Sequence, residues 1–188
     1  MRRSTLPALL LLAAMLAPLT RADPSPDWNA LRRPLHLLPV ARGQPCPLSR
    51  RAPEITARRY GTDGAMGPGP VYPILPSRSI LALVRPDTWG RRWAGEKVFW
   101  LVRPDYSGPV LIRGRRLDGW QWMRFDDGKR PPAEIRIRPG ETVKWTRQAR
   151  GSRGRPSYVR VRAPGCYGVQ IDGTSFSAVV VFLVDIAR

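Results

Sequence analysis

The stretch Val169-Gln170-Ile171-Asp172-Gly173-Thr174-Ser175-Phe176 places an Asp-Gly pair between two alternating runs, and its reading decides the fold class. Asp-Gly in that setting marks a two-residue hairpin, because a type I′ turn needs positive φ at both central positions. The register that follows sets Ile171 opposite Thr174, Val169 opposite Phe176 and Tyr167 opposite Ala178 on the core side. On the other side it sets Gln170 opposite Ser175, Gly168 opposite Ser177 and Cys166 opposite Val179. Residues 178–184 are apolar on both faces, so the outer face of this last strand requires a cover.

Working outward from the hairpin, residues 71–188 break into short β-type runs separated by Gly, Pro and Asp, at the spacing of a sandwich or barrel. The runs are 80–84, 97–103, 110–113, 121–125, 134–138, 142–145, 157–163, 167–171 and 174–184. No amphipathic helix of useful length interrupts them. Residues 23–70 differ in character: they hold nine prolines, Arg pairs at 32/33, 50/51 and 58/59, and no sustained periodicity. They read as an extended arm, in which Trp28, Leu31, Leu35, Leu37 and Leu38 form a short docked or helical piece limited by Pro34 and Pro39.

Residues 1–22 begin with Arg2 and Arg3, continue through an apolar run at 6–19 and end at Ala22. A basic start, a short apolar stretch and a small residue at the cleavage point predict a secretory signal peptide. The run is too short for a membrane span, which needs about 20 apolar residues. Export places Cys46 and Cys166 in an oxidising compartment, where two cysteines most simply pair. The bond closes a loop of 120 residues and ties the arm to the last hairpin, making the arm the cover for that strand.

Composition excludes several chemistries. One His and two Cys cannot build a zinc finger, a cysteine cluster or a blue-copper site, and no cofactor is expected. A Ser-His-Asp arrangement would need His36, which lies in the arm, so Ser175 and Ser177 beside Asp172 read as turn and strand polarity. The 10 Asp and 4 Glu fall mostly at turns, leaving no identifiable carboxylate pair for glycoside hydrolysis. No catalytic residue and no metal ligand is assigned. The formal charge is +18, carried by 29 Arg and only 3 Lys; without Arg2, Arg3 and Arg21 of the leader, 29 basic residues face 14 acidic ones, about +15. Arginine bias of this kind also arises from base composition, so the charge alone does not define a ligand.

Two local patterns do point to binding. Trp120 and Trp122 lie two apart with Arg124 following, while Met123 and Phe125 face the other way into the core. The tryptophans are either packed beneath a loop or the arm, or form an exposed platform that stacks on sugar rings or a partner protein. Arg136/Arg138 and Arg160/Arg162 each project from one strand face, opposite Ile135/Ile137 and Val159/Val161. They are either a solvated face or a site for a cell-envelope component or another anionic polymer, such as teichoic acid, lipopolysaccharide or nucleic acid, since guanidinium groups grip phosphate and carboxylate in bidentate fashion.

Further motifs occur at Gly69-Pro70-Val71-Tyr72-Pro73, Lys97-Val98-Phe99-Trp100, Gly108-Pro109-Val110-Leu111-Ile112-Arg113-Gly114-Arg115-Arg116-Leu117-Asp118-Gly119 and Ala163-Pro164-Gly165-Cys166-Tyr167, joined by Asp172-Gly173-Thr174-Ser175-Phe176-Ser177. On these, over roughly residues 45–184, the chain resembles a group of uncharacterised secreted bacterial proteins. The resemblance implies a small immunoglobulin-like sandwich and an exported location, and no activity. The expectation is therefore an all-β, immunoglobulin-like β-sandwich at 71–188 with an extended N-terminal arm, serving as a secreted non-catalytic binding or interaction module. The expected partner is an anionic surface polymer or a protein, in an oligomeric state the sequence leaves open. Alternatives are a carbohydrate-binding module using Trp120 and Trp122, and a hydrolase of unassigned chemistry.

Overall fold

The structure, a computed structural model, describes residues 25–141 and 151–187. The expected leader and the expected strand at 142–145 lie outside the described residues. The fold is all-β. Its strands are β1 (Val71–Ile74), β2 (Ser79–Val84), β3 (Ala94–Val102), β4 (Val110–Arg116), β5 (Arg124–Phe125), β6 (Glu134–Ile137), β7 (Arg153–Val161), β8 (Gly165–Gly173) and β9 (Ser177–Ala187). Single helical turns occur at α1 (Ala57–Tyr60) and α2 (Pro86–Trp89).

Eight strands run in the order β5-β7-β3-β2-β9-β8-β4-β6, with β1 added beside β3. All pairs are antiparallel except β2 with β9. The sheet nearly closes on itself: β4 pairs with β6 and, further along, bridges Arg115 to Trp122, just before β5, which lies on β7. At the remaining seam, arginine side chains replace ladder bonds. Arg153 Nη1 donates to Arg138 O at 2.7 Å and Arg155 Nη1 donates to Arg136 O at 3.1 Å.

Alternation along each strand fills the interior. Val98, Trp100 and Val102 of β3, Val110 and Ile112 of β4, Phe125 of β5, Ile135 and Ile137 of β6, Val159 and Val161 of β7, Tyr167, Val169 and Ile171 of β8, and Val180, Phe182 and Val184 of β9 form one core. Each large apolar side chain removed from water this way contributes roughly 1.5–3 kcal/mol. The inward positions expected for Ile135, Ile137, Val159, Val161, Met123 and Phe125 are those observed.

The terminal hairpin corrects the sequence register. Ile171 pairs with Ala178, Val169 with Val180 and Tyr167 with Phe182, not with Thr174, Phe176 and Ala178; on the other face Gln170, Gly168 and Cys166 pair with Val179, Val181 and Leu183. The slip is four residues in total, so every residue of β8 keeps its face. The physical reason is Asp172. It is fully buried as a strand residue opposite Ser177, and neither it nor Gly173 adopts positive φ. The turn is instead Gly173-Thr174-Ser175-Phe176, closed by Gly173 N donating to Phe176 O at 3.0 Å, with Phe176 set edge-on to Tyr106.

The segment read as an arm lies on the outside of the sheet in two stretches. Residues 50–66 pack Ala52, Ile55, Tyr60 and Ala65 onto Tyr72 of β1 and Leu101 of β3. Residues 33–49 cross β8 and β9, where Leu37 meets Leu117, Cys166 and Val181. Cys46 and Cys166 form the disulfide, spanning 120 residues. Ser49 N donates to Val181 O and Ser49 Oγ accepts from Val181 N, both at 2.9 Å, so the chain continues the sheet edge at this point.

Upstream of the disulfide the arm is held by a polar network. Arg113 Nη2 reaches Asp172 Oδ2 at 2.8 Å and Arg33 O at 2.6 Å; Gln170 Nε2 donates to Pro34 O and Gln170 Oε1 accepts from His36 N. Ser177 Oγ donates to Asp172 Oδ1 at 2.7 Å, so the serine and the aspartate considered for catalysis serve each other structurally.

Candidate aromatic and basic binding surface

The surface on the β5, β7 and α2 side grows from three sequence facts. Tyr158 and Arg160 fall two apart on β7 and so share its outward face, and Arg162, just past the end of β7, stacks on Trp93 on the same side. Gly95 stands opposite Arg160 on β3, where a Cβ would meet Val159 O at 2.8 Å, Trp89 at 3.0 Å and Arg160 Cγ at 3.2 Å. The missing side chain lets the arginine stem and the Trp89 ring lie against the strand. The connection from α2 to β3 then carries Trp89-Gly90-Arg91-Arg92-Trp93 across that face.

The result is an alternating stack of cations and rings. Arg85 lies 5.2 Å from the Trp89 ring centre, Arg160 lies 4.5 Å from Trp89 and 5.4 Å from Trp93, and Arg162 lies 4.5 Å from Trp93. Tyr158 meets Trp89 edge-on at 4.9 Å. Each such cation-ring contact contributes roughly 0.5 to 2 kcal/mol, more as water is removed. Trp89 Nε1 donates to the Asp127 carboxylate, which holds that carboxyl below its ordinary range together with the Gly128 N–H.

Arg160 corrects the sequence expectation of a solvent-facing pair. It is fully buried, with Nη1 donating to Gly128 O at 2.5 Å while Nε and Nη2 have no hydrogen-bond partner among the described residues. Burial pushes its guanidinium below the ordinary value, against the opposing pull of Asp127. The rings of Trp89 and Trp93 stand where water or a carboxylate would otherwise be. Arg162, the other member of the pair, is exposed.

Beyond Arg162, the stack opens into a cleft of about 90 Å³ lined by Trp93, Trp120, Gln121, Trp122, Arg124 and Arg162. Trp120 is 78% exposed and Trp122 50% exposed, so of the two sequence readings the tryptophans follow the exposed one. Trp120 lies in the bend after β4 rather than in a strand, and Trp122 forms only an isolated bridge with Arg115. The strand expected over 121–125 is reduced to Arg124–Phe125.

Arg136 and Arg138 lie elsewhere. They line an open groove of about 900 Å³ along β6 with Arg32, Glu134, Glu141 and Arg155. Most of its charge is compensated: Arg32 and Arg136 both grip Glu134 at 2.8 and 2.6 Å, and Arg155 contacts Asp126 at 2.7 Å and Glu141 at 3.5 Å. Burial works to raise the Glu134 carboxyl, but the two arginines outweigh it and hold the group below the usual carboxylate range. Arg136 also stacks on Trp28 of the arm at 5.3 Å. The structure therefore brings Trp120, Trp122 and Arg162 together on one surface and leaves Arg136 and Arg138 out of it.

Sequence reading missed Trp89, Trp93 and Arg85. Their signal, two tryptophans four apart around Gly-Arg-Arg, carries no strand periodicity, and only the pairing of β3 with β7 brings them over Arg160. Among the described residues no three His, Cys, Asp or Glu side chains stand close enough to hold a metal ion, and no helix is long and apolar enough to cross a membrane. No family model, no curated protein and no solved structure matches this chain.

Proposed function

We propose that this protein is an exported, non-catalytic binding module whose recognition surface is the cleft of Trp93, Trp120 and Trp122 with Arg124 and Arg162. The single observation that carries the reading is the exposure of two neighbouring tryptophans, 78% and 50%, beside exposed arginine. Large aromatic groups held in water are costly, and where they cluster they mark contact surfaces. The polyanion and carbohydrate readings of the sequence converge here, because Arg162 and the tryptophan pair line one cleft. Support for export comes from the Cys46–Cys166 disulfide, which fits an oxidising compartment, together with the signal-like residues 1–22.

The immunoglobulin-like arrangement belongs to the same proposal. What favours it is strand order: β1 and β2, β3, β7 and β5 follow the A-B-E-D pattern of one sheet, and β9, β8 and β4 the G-F-C pattern of the other. The departure is at β5 and β6, where the strand on β7 precedes in sequence the strand on β4.

The test is retention on immobilised polysaccharides by the wild type and by the Trp120→Ala/Trp122→Ala double variant. The double variant should lose at least tenfold in affinity while its thermal stability stays within about 0.5 kcal/mol of wild type, as befits exposed positions. Equal retention of the two proteins would place binding elsewhere.

A further inference from the structure

Seven of the described arginines, Arg32, Arg33, Arg103, Arg113, Arg116, Arg136 and Arg155, are ion-paired with an Asp or Glu carboxylate. Arg124 and Arg162, like Arg42, Arg91 and Arg92, are not: among the described residues none of these is ion-paired or hydrogen-bonded through its side chain, and Arg162 has only the Trp93 ring. What sets Arg124 and Arg162 apart is the cleft they line with three tryptophans. They also sit next to another cation. Arg124 pairs across the ladder with Arg160, and Arg162, just past the end of β7, stacks on the same Trp93 ring as Arg160. A bound anion would supply the partner that Arg124 and Arg162 lack.

The aromatic part of the cleft narrows the ligand further. Trp120 and Trp122 line the cleft together with Trp93, Gln121, Arg124 and Arg162. Indole faces bordered by polar and charged side chains suit a ligand with an apolar face and a polar edge, which is the construction of a sugar ring. The cleft of about 90 Å³ is small, with Trp120 standing at its mouth. It admits a substituent and part of a ring while the remainder of a polymer stays outside.

Resting on the binding-module reading above, we infer that the ligand is an acidic polysaccharide. A sugar ring stacks on Trp120 and Trp122, and its carboxylate, sulfate or phosphate group is held by Arg124 and Arg162. Arg160 is a positioning residue: buried beneath Trp93, it fixes the ring against which Arg162 stacks.

The experiment measures equilibrium binding of the full chain to uronate-bearing, sulfated and phosphorylated polysaccharides. Each is paired with its neutral counterpart after methyl esterification, desulfation or dephosphorylation, and polyglutamate serves as an acidic polymer without rings. The expected result is binding to at least one acidic member with at least tenfold weaker binding to its neutral partner and to polyglutamate. The acidic member that binds identifies the anion. Arg124→Met/Arg162→Met should reduce that affinity to the level of the neutral partner, and Trp120→Ala/Trp122→Ala should abolish both. Equal binding to acidic and neutral partners would overturn the acidic specificity and leave the aromatic binding surface standing. Equal binding to polyglutamate would overturn the sugar. Binding to no member by the folded protein would overturn both this inference and the reading on which it rests.

Discussion

Replacing Cys46 and Cys166 together with serine is expected to lower the unfolding free energy by roughly 4 to 5 kcal/mol, a fall in melting temperature of roughly 8 to 20 °C. The size follows from the 120-residue separation of the two cysteines, since releasing a long loop returns conformational entropy to the unfolded chain. The native state also responds locally. Without the bond, residues 37–49 rest on Leu37 and Val40 against Leu117 and Val181, on Arg115 Nη2 donating to Leu37 O at 2.5 Å, on Val40 N to Leu117 O at 2.8 Å, and on the Ser49 contacts with Val181. Those few contacts make this stretch the part that opens first. Limited proteolysis under conditions where the sheet stays folded should therefore cut within 37–49 in the variant and not in the oxidised wild type. Unchanged resistance of that stretch, with an unchanged melting temperature, would show that the covalent tie contributes nothing to seating it.

Asp172→Ala is expected to cost roughly 3 to 5 kcal/mol, the range for removing one partner from a buried ion pair. Asp172 has no exposed surface, and its two oxygens serve Arg113, Gln170 and Ser177, with Arg33 at 3.8 Å. Its loss leaves the Arg113 guanidinium without its carboxylate and frees Gln170, which otherwise holds both Pro34 O and His36 N. The damage should therefore fall on residues 33–36, upstream of the stretch released by the cysteine variant. Asp172→Asn, which keeps the shape but not the charge, should retain part of the stability. Chemical denaturation of the two variants checks both points, and an Asp172→Ala protein as stable as wild type would remove the network from the account.

The sequence made the strands legible where alternation was clean. The inward faces of β6 and β7, the outward Trp122 and Arg124 against buried Met123 and Phe125, and the cysteine pair all follow from period-two patterning or simple counting. Its failures have physical causes. β1 carries Pro73, which lacks a ladder N–H and weakens a strand reading; it is accommodated beside β3, with the carbonyl of Pro73 accepting from Met66 N at 3.2 Å. The Asp-Gly turn was misread because Asp172 serves a buried network in which Gln170 and Ser177 of its own hairpin meet Arg33 and Arg113, which only the tertiary fold brings to it. Arg160 looked like half of a surface pair because its partners Trp89 and Trp93 arrive from the connection between β2 and β3, outside any local pattern. The tryptophan cleft was half legible: Trp120 and Trp122 stood out, whereas Trp93 did not.

The central claim is that uncompensated arginine at the tryptophan cleft is what engages an anionic ligand. It is tested most directly by the salt dependence of binding to the acidic polysaccharide, measured for the wild type and for Arg124→Met/Arg162→Met, with Arg136→Met/Arg138→Met as the comparison. Each cation in contact with the polymer releases counterions on binding and steepens the fall of log affinity with log salt by up to about one unit. The account predicts that the Arg124/Arg162 variant flattens that slope by about one to two units, while the Arg136/Arg138 variant, altered in the separate groove along β6, leaves it unchanged. A slope flattened by the second variant and unmoved by the first would contradict the account and move the binding surface to β6.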